Sequence, residues 1–282
     1  MPFFNASFSE FEIISRVMVI LITGITSGFG KAAALRLSQE GHIVYGTHRR
    51  ETDELPLVRY LRCDVTDEAS VKEAVGMVMS EQGRIDVLIN NAGCGIGGPL
   101  EMCGIEDARS QMDVNWLGMV RVLHYVLPVM RAQGGGRIIA VSSIGGLIGL
   151  PFQGLYSASK FAVEGYCEAL RMEVKDLGIK VTVVEPGDFH TDFTARRKSV
   201  DPESAASAYP SYRRSLEEIR RNELSGLRPE VLAAKVSKII SMRNPGDSYI
   251  VATFLQRLSV VAKRLLPAKL FDWIIRKYYR VG

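Results

Sequence analysis

A tyrosine and a lysine four positions apart carry the clearest chemical signal in this chain. Three residues separate Tyr156 from Lys160, and Ser143 lies thirteen residues before the tyrosine. Residues at positions i and i+4 of a helix share a face, with their Cβ atoms about 5–6 Å apart. A tyrosine has an unperturbed pKa of about 10, and a cation held nearby in a partly dry cleft lowers that pKa. The pair therefore predicts a tyrosine that exchanges protons with a substrate.

A glycine-rich loop near the start of the chain is the second signal. Gly24, Gly28 and Gly30 follow a continuous apolar run at 17–23, which is typical of a strand buried on both faces of a parallel sheet. A loop of this kind before a helix presents backbone N–H groups to a pyrophosphate. The GxGxxG spacing is absent, and Ala32 stands where a phosphate-binding P-loop carries a magnesium-binding hydroxyl. The loop therefore favours dinucleotide binding over nucleotide hydrolysis.

Strand-like and helix-like segments alternate along the chain. The patterns predict strands at 17–23, 42–47, 58–63, 85–90, 137–142, 180–185 and 248–251, and helices at 31–40, 68–80, 105–130, 156–176, 212–223, 230–242, 258–266 and 268–279. This alternation predicts an α/β fold, a doubly wound Rossmann-type parallel sheet of about seven strands with helices on both faces. We expect a single dinucleotide-binding domain over 1–282, with the polar segment 188–228 as a lid over its substrate site.

Composition excludes several classes of protein. Apolar residues make up 47% of the 282 residues, enough for a large core and too many for a disordered chain. The four cysteines form no CxxC pair and no signal-peptide pattern opens the chain, so we expect a reducing, cytoplasmic compartment and no metal site. The apolar stretch at 13–22 is too short to span a membrane. Residues 1–16 carry no motif and are predicted to form an N-terminal extension, so Met18 is a second candidate for the native start, beside Met1.

Positive charge is concentrated at the C-terminus. The net charge is +4, yet 256–282 hold seven Lys or Arg and one acid, so the rest of the chain is slightly acidic. The body of the protein therefore gives no electrostatic support for nucleic-acid binding. The last predicted helix has an apolar face surrounded by basic residues, formed by Leu270, Phe271, Ile274, Ile275 and Tyr278. Two interpretations of 256–282 stay open: packing over the substrate mouth, or peripheral contact with a membrane.

Further motifs occur in order along the chain and together resemble a known family. They are Thr23-Gly24-x-x-x-Gly28-x-Gly30, Asn90-Asn91-Ala92-Gly93, Asn115, Ser143, Tyr156-x-x-x-Lys160 and Pro186-Gly187. At this spacing, over 17–192, the chain resembles the classical short-chain dehydrogenase/reductase family. The stretch 143–165 looks like the 17-beta-hydroxysteroid and retinol dehydrogenase branch of that family.

The resemblance implies a role for each catalytic residue. Ser143 would donate a hydrogen bond to the substrate oxygen, and Tyr156 would give or remove the proton, so both would contact the substrate. Lys160 would lower the pKa of Tyr156 and hold the nicotinamide ribose, and Asn115 would support a water chain to Lys160. The implied reaction is hydride transfer between a nicotinamide cofactor and a ketone or alcohol, with a lipophilic substrate. A cofactor-binding sensor without turnover is the alternative.

The same resemblance implies the cofactor contacts and an assembly. The contacts would be Gly24, Ser27, Gly28, Phe29, Gly30, His48, Arg49, Asp64, Val65, Asn91, Ala92, Gly93, Tyr156, Lys160, Pro186, Gly187 and Thr191. An acid after the second strand binds the ribose of NAD, whereas an arginine accommodates the 2′-phosphate of NADP. His48 stands in the acid's place and Arg49 follows it, so NADP(H) is favoured over NAD(H), although Ser27 departs from the basic residue of many NADP-preferring relatives. A homodimer or homotetramer through the helices at 105–130 and 156–176 is also implied.

Overall fold

The structure is a computed structural model that describes residues 17–49 and 55–282. The predicted N-terminal extension, with Met1, and the basic residue Arg50 lie outside these ranges. The strands are β1 (Val19–Ile22), β2 (Ile43–His48), β3 (Val58–Arg62), β4 (Val87–Asn90), β5 (Ile96–Gly97), β6 (Gly136–Val141), β7 (Ile179–Pro186), β8 (Lys198–Ser199) and β9 (Ser248–Val251). The helices are α1 (Gly28–Gln39), α2 (Glu68–Gln82), α3 (Ile105–Met112), α4 (Gly118–Ala132), α5 (Gly154–Glu173), α6 (Phe193–Arg196), α7 (Pro202–Ala205), α8 (Tyr212–Leu224), α9 (Pro229–Ser241), α10 (Phe254–Leu265) and α11 (Ala268–Tyr278).

Seven of these strands form one parallel sheet in the order β3-β2-β1-β4-β6-β7-β9. The prediction of a doubly wound, Rossmann-type α/β fold is therefore confirmed. The chain order reverses between β1 and β4, because β2 and β3 lie on one side and the later strands on the other. In open sheets of this kind, ligands bind at the carboxyl ends of the strands beside such a reversal. The glycine loop after β1 lies at this position.

Alternate residues of β1 pack into different layers, which explains its unbroken apolar sequence. Val19 and Leu21 join an apolar cluster with residues of α2, α4 and α5. Ile20 and Ile22 join a second cluster, on the opposite face of the sheet, with residues of α1 and α9. Full burial of one such side chain contributes about 1.5–3 kcal/mol. Both faces of the sheet therefore hold β1, and with it the glycine loop, in a fixed position.

The helix predicted over 105–130 is present as α3 and α4, with a change of helical type between them. A π-helical segment, Asp113–Leu117, separates α3 from α4. Asn115 lies in this segment with its side chain bonded to other parts of the chain, so the widened turn is set by tertiary contacts. Helix α10 also differs from the predicted start at 258, because a capping box between Thr253 and Gln256 begins it at Phe254.

The predicted lid at 188–228 contains α6, β8, α7 and α8. A bridge between Phe189 and Leu227 closes its base. Strand β8 pairs in parallel with β5, a two-residue strand after β4, so the lid is joined to the loop that follows the switch point. Neither short strand was predicted, since two residues are too few to show a periodic pattern.

The C-terminal helices pack on the segment that follows β6. Val260 of α10 and Phe271 and Ile275 of α11 share an apolar cluster with Ile144 and Ile148. None of the helices in the described ranges has both the length and the apolar run needed to cross a bilayer. The basic end of the chain is thus packed against the part of the protein that carries Ser143.

A buried carboxyl in β7 makes stability depend on pH. Burial, with a further contribution from Glu164, raises the pKa of Glu185 from its ordinary value of 4.5 to about 7. Because the folded pKa lies above the unfolded one, the stability linked to this group is present below pH 4.5 and is lost as the pH rises through 7. We expect Glu185→Gln to raise the free energy of unfolding by up to about 3 kcal/mol near pH 8 and to leave it unchanged near pH 4.

Urea unfolding across this pH range measures the effect. Glu173→Gln, at an exposed position at the end of α5, serves as the control because its charge is solvated. Parallel stability curves for the wild type and Glu185→Gln over the whole range would contradict the assignment.

Candidate active site

Ser143, Tyr156 and Lys160 meet at the carboxyl end of β6. Ser143 lies two residues beyond β6, and α5 carries the other two residues on one face. The Ser143 Oγ and the Tyr156 ring approach each other beside Gly145, and the Ser143 hydroxyl lowers the pKa of Tyr156. The Lys160 Nζ donates to the carbonyl of Val141 at 2.8 Å and lies 5.9 Å from the centroid of the Tyr156 ring. The structure therefore brings these three predicted catalytic residues together.

Two glycines after Ser143 allow this close approach. A Cβ at Gly145 would lie 3.3 Å from both the Ser143 Oγ and the Tyr156 Cε1. A Cβ at Gly146 would lie 2.9 Å from the Lys160 carbonyl oxygen, closer than real Cβ contacts. Sequence reasoning did not assign these glycines, although their place directly after Ser143 was a usable signal.

Burial dominates the acid–base properties of the pair. It raises the pKa of Tyr156 to about 12, against the lowering effects of the Ser143 hydrogen bond and the positive charge of Arg197. Burial also lowers the pKa of Lys160 to about 8. The ammonium is directed to the Val141 carbonyl, and burial has the largest effect on the tyrosine pKa, so the expectation that Lys160 lowers that pKa stays a prediction. Tyr156 in this arrangement is a neutral phenol that holds its proton.

Asn115 is buried in the π-helical segment, and its carboxamide joins two parts of the site. Its Oδ1 accepts a hydrogen bond from the Cys94 N–H at 2.8 Å. Its Nδ2 donates to the Cys94 carbonyl at 3.0 Å and to the Ser159 Oγ at 2.9 Å. The side chain thus ties the loop after β4 to α5, one residue before Lys160. The water chain predicted for Asn115 stays a prediction.

The glycine loop has the geometry of an anion site. Gly24 and Gly28 adopt positive φ angles of 73° and 55°, which favour glycine. A Cβ at Gly30 would lie 2.2 Å from the Gly24 carbonyl oxygen, so only glycine fits there. The Ser27 side chain, at the N-cap of α1, makes no capping hydrogen bond within the described residues. The first N–H groups of α1 are therefore available to a pyrophosphate, and these residues fit a dinucleotide.

The Asn-Asn-Ala-Gly segment after β4 lies directly beside this loop. The Asn91 Nδ2 donates to the carbonyls of Thr23 and Gly24, both at 2.9 Å. A Cβ at Gly24 would lie 3.0 Å from the Ala92 Cα, and a Cβ at Gly93 would lie 3.3 Å from the Asn115 Oδ1. The segment therefore holds the glycine loop, and the predicted cofactor contacts of Asn91, Ala92 and Gly93 occur where the loop and β4 meet.

The residues predicted at the adenosine end also lie together. The Arg49 Nη1, after β2, lies 3.8 Å from the Asp64 Oδ2, after β3, and the Arg49 side chain is 58% exposed. The His48 ring lies 5.6 Å from the Tyr60 ring. Val65 is buried against Gly118. An exposed guanidinium beside an acid at two adjacent strand ends can bind a phosphate while the acid orients it.

The nicotinamide end is bounded by the segment after β7. Gly187 fits closely against α10, since a Cβ there would lie 2.2 Å from the Gln256 Oε1. Thr191 lies over the glycine loop, with its methyl carbon 3.5 Å from a Cβ built at Gly28. The rings of Phe29 and Phe189 pack edge to face at 4.8 Å. Phe189 and Thr191, which follow Pro186 and Gly187 in the chain, therefore lie against the glycine loop and the first turn of α1.

A buried ion pair in the lid stands over the tyrosine. The Phe193 ring lies 5.6 Å from the Tyr156 ring, and the Arg197 guanidinium lies 5.7 Å from the Phe193 ring. Arg197 forms an ion pair with Glu223, and their side chains are only 3% and 12% exposed. The Thr194 Oγ1 donates to Glu223 at 2.6 Å. Sequence reasoning missed this pair, because its members are 26 residues apart and their pairing depends on the fold of the lid.

A cleft of about 770 Å³ lies within the lid, bounded by His190, Thr194, Arg197, Leu216 and Arg220. Neither Ser143 nor Tyr156 lines it. Its size alone assigns no chemistry, whereas the Ser143 cluster combines a hydrogen-bond donor, an acid and a cation. We therefore place the candidate active site at the Ser143 cluster and regard the cleft as a feature of the lid.

The fit around Gly30 generates a prediction. We expect Gly30→Ala to lower the free energy of unfolding by roughly 1–3 kcal/mol and to weaken dinucleotide binding, because the new methyl group would displace the Gly24 carbonyl. Thermal unfolding and cofactor titration measure the two effects. Gly76→Ala, in the interior of α2 with no atom within 4 Å of the added carbon, is the matched control and should be neutral or stabilising. Unchanged cofactor affinity in Gly30→Ala would contradict the pyrophosphate site.

Comparison with known proteins identifies the family. Residues 18–201 match the family model described as short chain dehydrogenase. Over 264 residues, the chain is 47% identical to a 3-ketodihydrosphingosine reductase of Bacteroides thetaiotaomicron, which covers 93% of this chain and 98% of that protein. It is 41% identical over 191 residues to human 17-beta-hydroxysteroid dehydrogenase type 1, across 62% of this chain but only 58% of that protein. A short-chain dehydrogenase structure from Streptomyces avermitilis matches with a TM-score of 0.78 and 27% identity, over 92% of this chain and 97% of that one.

These similarities agree with the fold and with the residues that meet at the site. The relation to a hydroxysteroid dehydrogenase confirms the resemblance predicted from 143–165. The chain belongs to the short-chain dehydrogenase family of oxidoreductases.

Proposed function

We propose that this protein is an NADP(H)-dependent reductase of a lipid-like ketone, with Tyr156 as the proton donor. The close approach of the Ser143 hydroxyl and the Tyr156 ring, both 3.3 Å from a Cβ built at Gly145 and next to Lys160, is the observation that carries the proposal. It places a donor for a carbonyl oxygen and an acid for the resulting alkoxide side by side. The domain that performs the reaction would be a single one, with 188–228 as its substrate lid.

The chemistry follows from the protonation states. NADPH, when bound, supplies the hydride. Ser143 would donate a hydrogen bond to the substrate carbonyl oxygen, and Tyr156 would give its proton to that oxygen as negative charge develops. Lys160, with a pKa of about 8, is charged at neutral pH, and its ammonium would stabilise the phenolate that remains. Because burial raises the pKa of Tyr156, the phenol would hold the proton that it gives to the substrate oxygen in the reductive direction.

The residues on the groove support NADP(H) over NAD(H). Backbone N–H groups after Gly28 would hold the pyrophosphate, and Arg49 would pair with the 2′-phosphate. Arg49 is exposed and lies beside Asp64, so its guanidinium can reach a ligand without leaving a buried position. Thr191 would contact the nicotinamide carboxamide from the opposite wall.

A long-chain ketone is the substrate class that we favour. The bacterial relative named as a 3-ketodihydrosphingosine reductase matches 93% of the chain, which includes the lid. The match to the human steroid enzyme covers less of this chain. The surroundings of Tyr156 are apolar, with Phe193 on its ring and Leu150 next to Gly145. A 17-ketosteroid is the second candidate, and relative rates with the two ketones distinguish them.

A cofactor-binding sensor without turnover remains the alternative class. It would bind NADPH but would oxidise it with none of a broad panel of ketones. We also propose a cytoplasmic homodimer or homotetramer, assembled through the helices at 105–130 and 156–176, and peripheral membrane contact through 256–282. Sedimentation equilibrium measures the assembly.

Replacement of the proposed acid tests the mechanism. We expect Tyr156→Phe to lower kcat for ketone reduction roughly 100- to 10,000-fold, because the alkoxide loses its proton donor, while NADPH binding is retained. Steady-state loss of the NADPH absorbance measures the rate. Tyr166→Phe, in the same helix but ten residues further on, is the matched control and should retain the wild-type rate. A Tyr156→Phe enzyme with near-normal turnover would disprove the role.

Replacement of Arg49 tests the cofactor preference. We expect Arg49→Gln to raise the KM for NADPH roughly 10- to 100-fold, the value of a charge-assisted hydrogen bond, and to leave the KM for NADH unchanged. Arg62→Gln, at the exposed end of β3, is the matched control. Equal effects of Arg49→Gln on both cofactors, or tighter binding of NADH by the wild type, would contradict the proposed preference.

A further inference from the structure

The outer face of α10 is apolar although nothing covers it among the described residues. Phe254, Leu258, Val261 and Leu265 are 82%, 49%, 50% and 76% exposed. Their spacing of i, i+4, i+7 and i+11 places them in one stripe along the helix. Val260, on the other face, is buried against the body of the protein. The stripe is therefore an ordered apolar surface directed away from the core.

Helix α11 repeats this arrangement. Phe271 and Ile275 are buried, whereas Leu270, Trp273 and Ile274 are 45%, 58% and 37% exposed. Tryptophan and leucine beside lysine and arginine are typical of helices that lie in a membrane interface. Together, the exposed residues of the two helices form what we term the C-terminal apolar face: Phe254, Leu258, Val261, Leu265, Leu270, Trp273 and Ile274.

The helices that carry this face are firmly attached. Their inner sides pack on Ile144 and Ile148. The Ser215 Oγ of α8 donates to the Tyr279 carbonyl at 2.6 Å, and the Arg280 Nε lies 3.0 Å from the Glu218 Oε2. The exposed residues are therefore not the result of a loose end that could turn inward.

The positive charge around the C-terminal apolar face indicates which partner would cover it. Residues 256–282 contain seven Lys or Arg and one acid. Within 17–49 and 55–282, no carboxylate lies within ion-pair distance of Arg264, Lys269, Arg276 or Lys277. A second copy of this chain in a symmetric contact would bring the same cations against one another. Contact with an anionic lipid surface would instead stabilise the bound protein by about 1 kcal/mol for each cation near that surface.

We propose that the C-terminal apolar face docks this protein on an anionic phospholipid bilayer, with α10 and α11 lying in the interface. The idea rests on the proposed lipid-like substrate for its purpose, because the docked helices pack on the segment that begins one residue after Ser143. A long-chain ketone could then pass from the bilayer to the site without crossing water. The binding itself requires no turnover, so it can be tested separately.

Vesicle co-sedimentation of the full chain tests the proposal, with phosphatidylcholine vesicles and with vesicles that also contain phosphatidylglycerol. We expect binding to the anionic vesicles, at least a tenfold loss of binding in Leu258→Asp, and about a fivefold loss per cation removed in Lys269→Gln and Lys277→Gln. Leu57→Asp is the matched control, since Leu57 is 74% exposed beside β3, at the other edge of the sheet. It should bind like the wild type.

Two further measurements make the result specific. The chain has two tryptophans, so in Trp116→Phe the fluorescence reports Trp273 alone and should shift to the blue on anionic vesicles. NADPH-dependent reduction of a short, water-soluble ketone should be equal in Leu258→Asp and the wild type, which shows that the variant is folded. Absence of that activity in the wild-type protein would contradict the proposed function but not the docking.

Three outcomes would overturn the proposal. One is the absence of wild-type binding to anionic vesicles. Another is equal binding to neutral and anionic vesicles, which would remove the role of the cations. The last is a wild-type dimer that Leu258→Asp converts to a monomer with no vesicle binding by either protein, which would make the C-terminal apolar face a contact between subunits.

Discussion

The hydrogen bonds around Thr23 are the interaction on which the site depends. Its Oγ1 accepts from the backbone N–H groups of Asn91 and Ala92, both at 2.9 Å, while the Asn91 amide returns two bonds to the loop after β1. These bonds join the ends of the two strands between which the sheet order reverses. In a parallel sheet all carboxyl ends lie at one edge, so this junction sets where β6 and β7 deliver Ser143 and Pro186. The glycine loop and the Ser143 cluster are therefore positioned by the same register of parallel strands.

Most of the sheet and its flanking helices could be predicted from the sequence, because the signals for them are local. Buried strands show as apolar runs, and their alternation with helices predicts a doubly wound parallel sheet of about seven strands. The π-helical segment between α3 and α4 could not be predicted, since it depends on Asn115 bonding to Cys94 and Ser159, far away in sequence. The ion pair between Arg197 and Glu223 could not be predicted from the sequence either. Residues in irregular segments acquire their partners only when the whole fold is present, so the lid was predicted as a region without its internal contacts.

Burial has the largest effect on the pKa values of Tyr156 and Lys160, and residue types alone do not show it. A lysine next to a tyrosine suggests an acidic phenol, yet desolvation penalises charge on both groups in the folded protein. The result is a phenol that keeps its proton and an ammonium that is less stable than in water. In the proposed reaction, Tyr156 would give its proton as negative charge forms on the substrate oxygen, and Lys160 would compensate the phenolate that remains. The Tyr156 phenol would therefore be neutral until the proton moves.

The lid, the cofactor loop and the C-terminal helices are linked through polar contacts that are costly to separate. Gln256 of α10 donates to the Asp188 Oδ2 at 2.6 Å, directly after Pro186 and Gly187. Glu223 of α8 holds Arg197 over the Tyr156 side of the lid, and Glu218 of the same helix holds Arg280. Breaking a buried ion pair leaves an uncompensated charge, which is strongly destabilising. Arg197 and Glu223 are therefore held as a pair, and the contacts of α8 with Tyr279 and Arg280 join the C-terminal helices to the helix that carries Glu223.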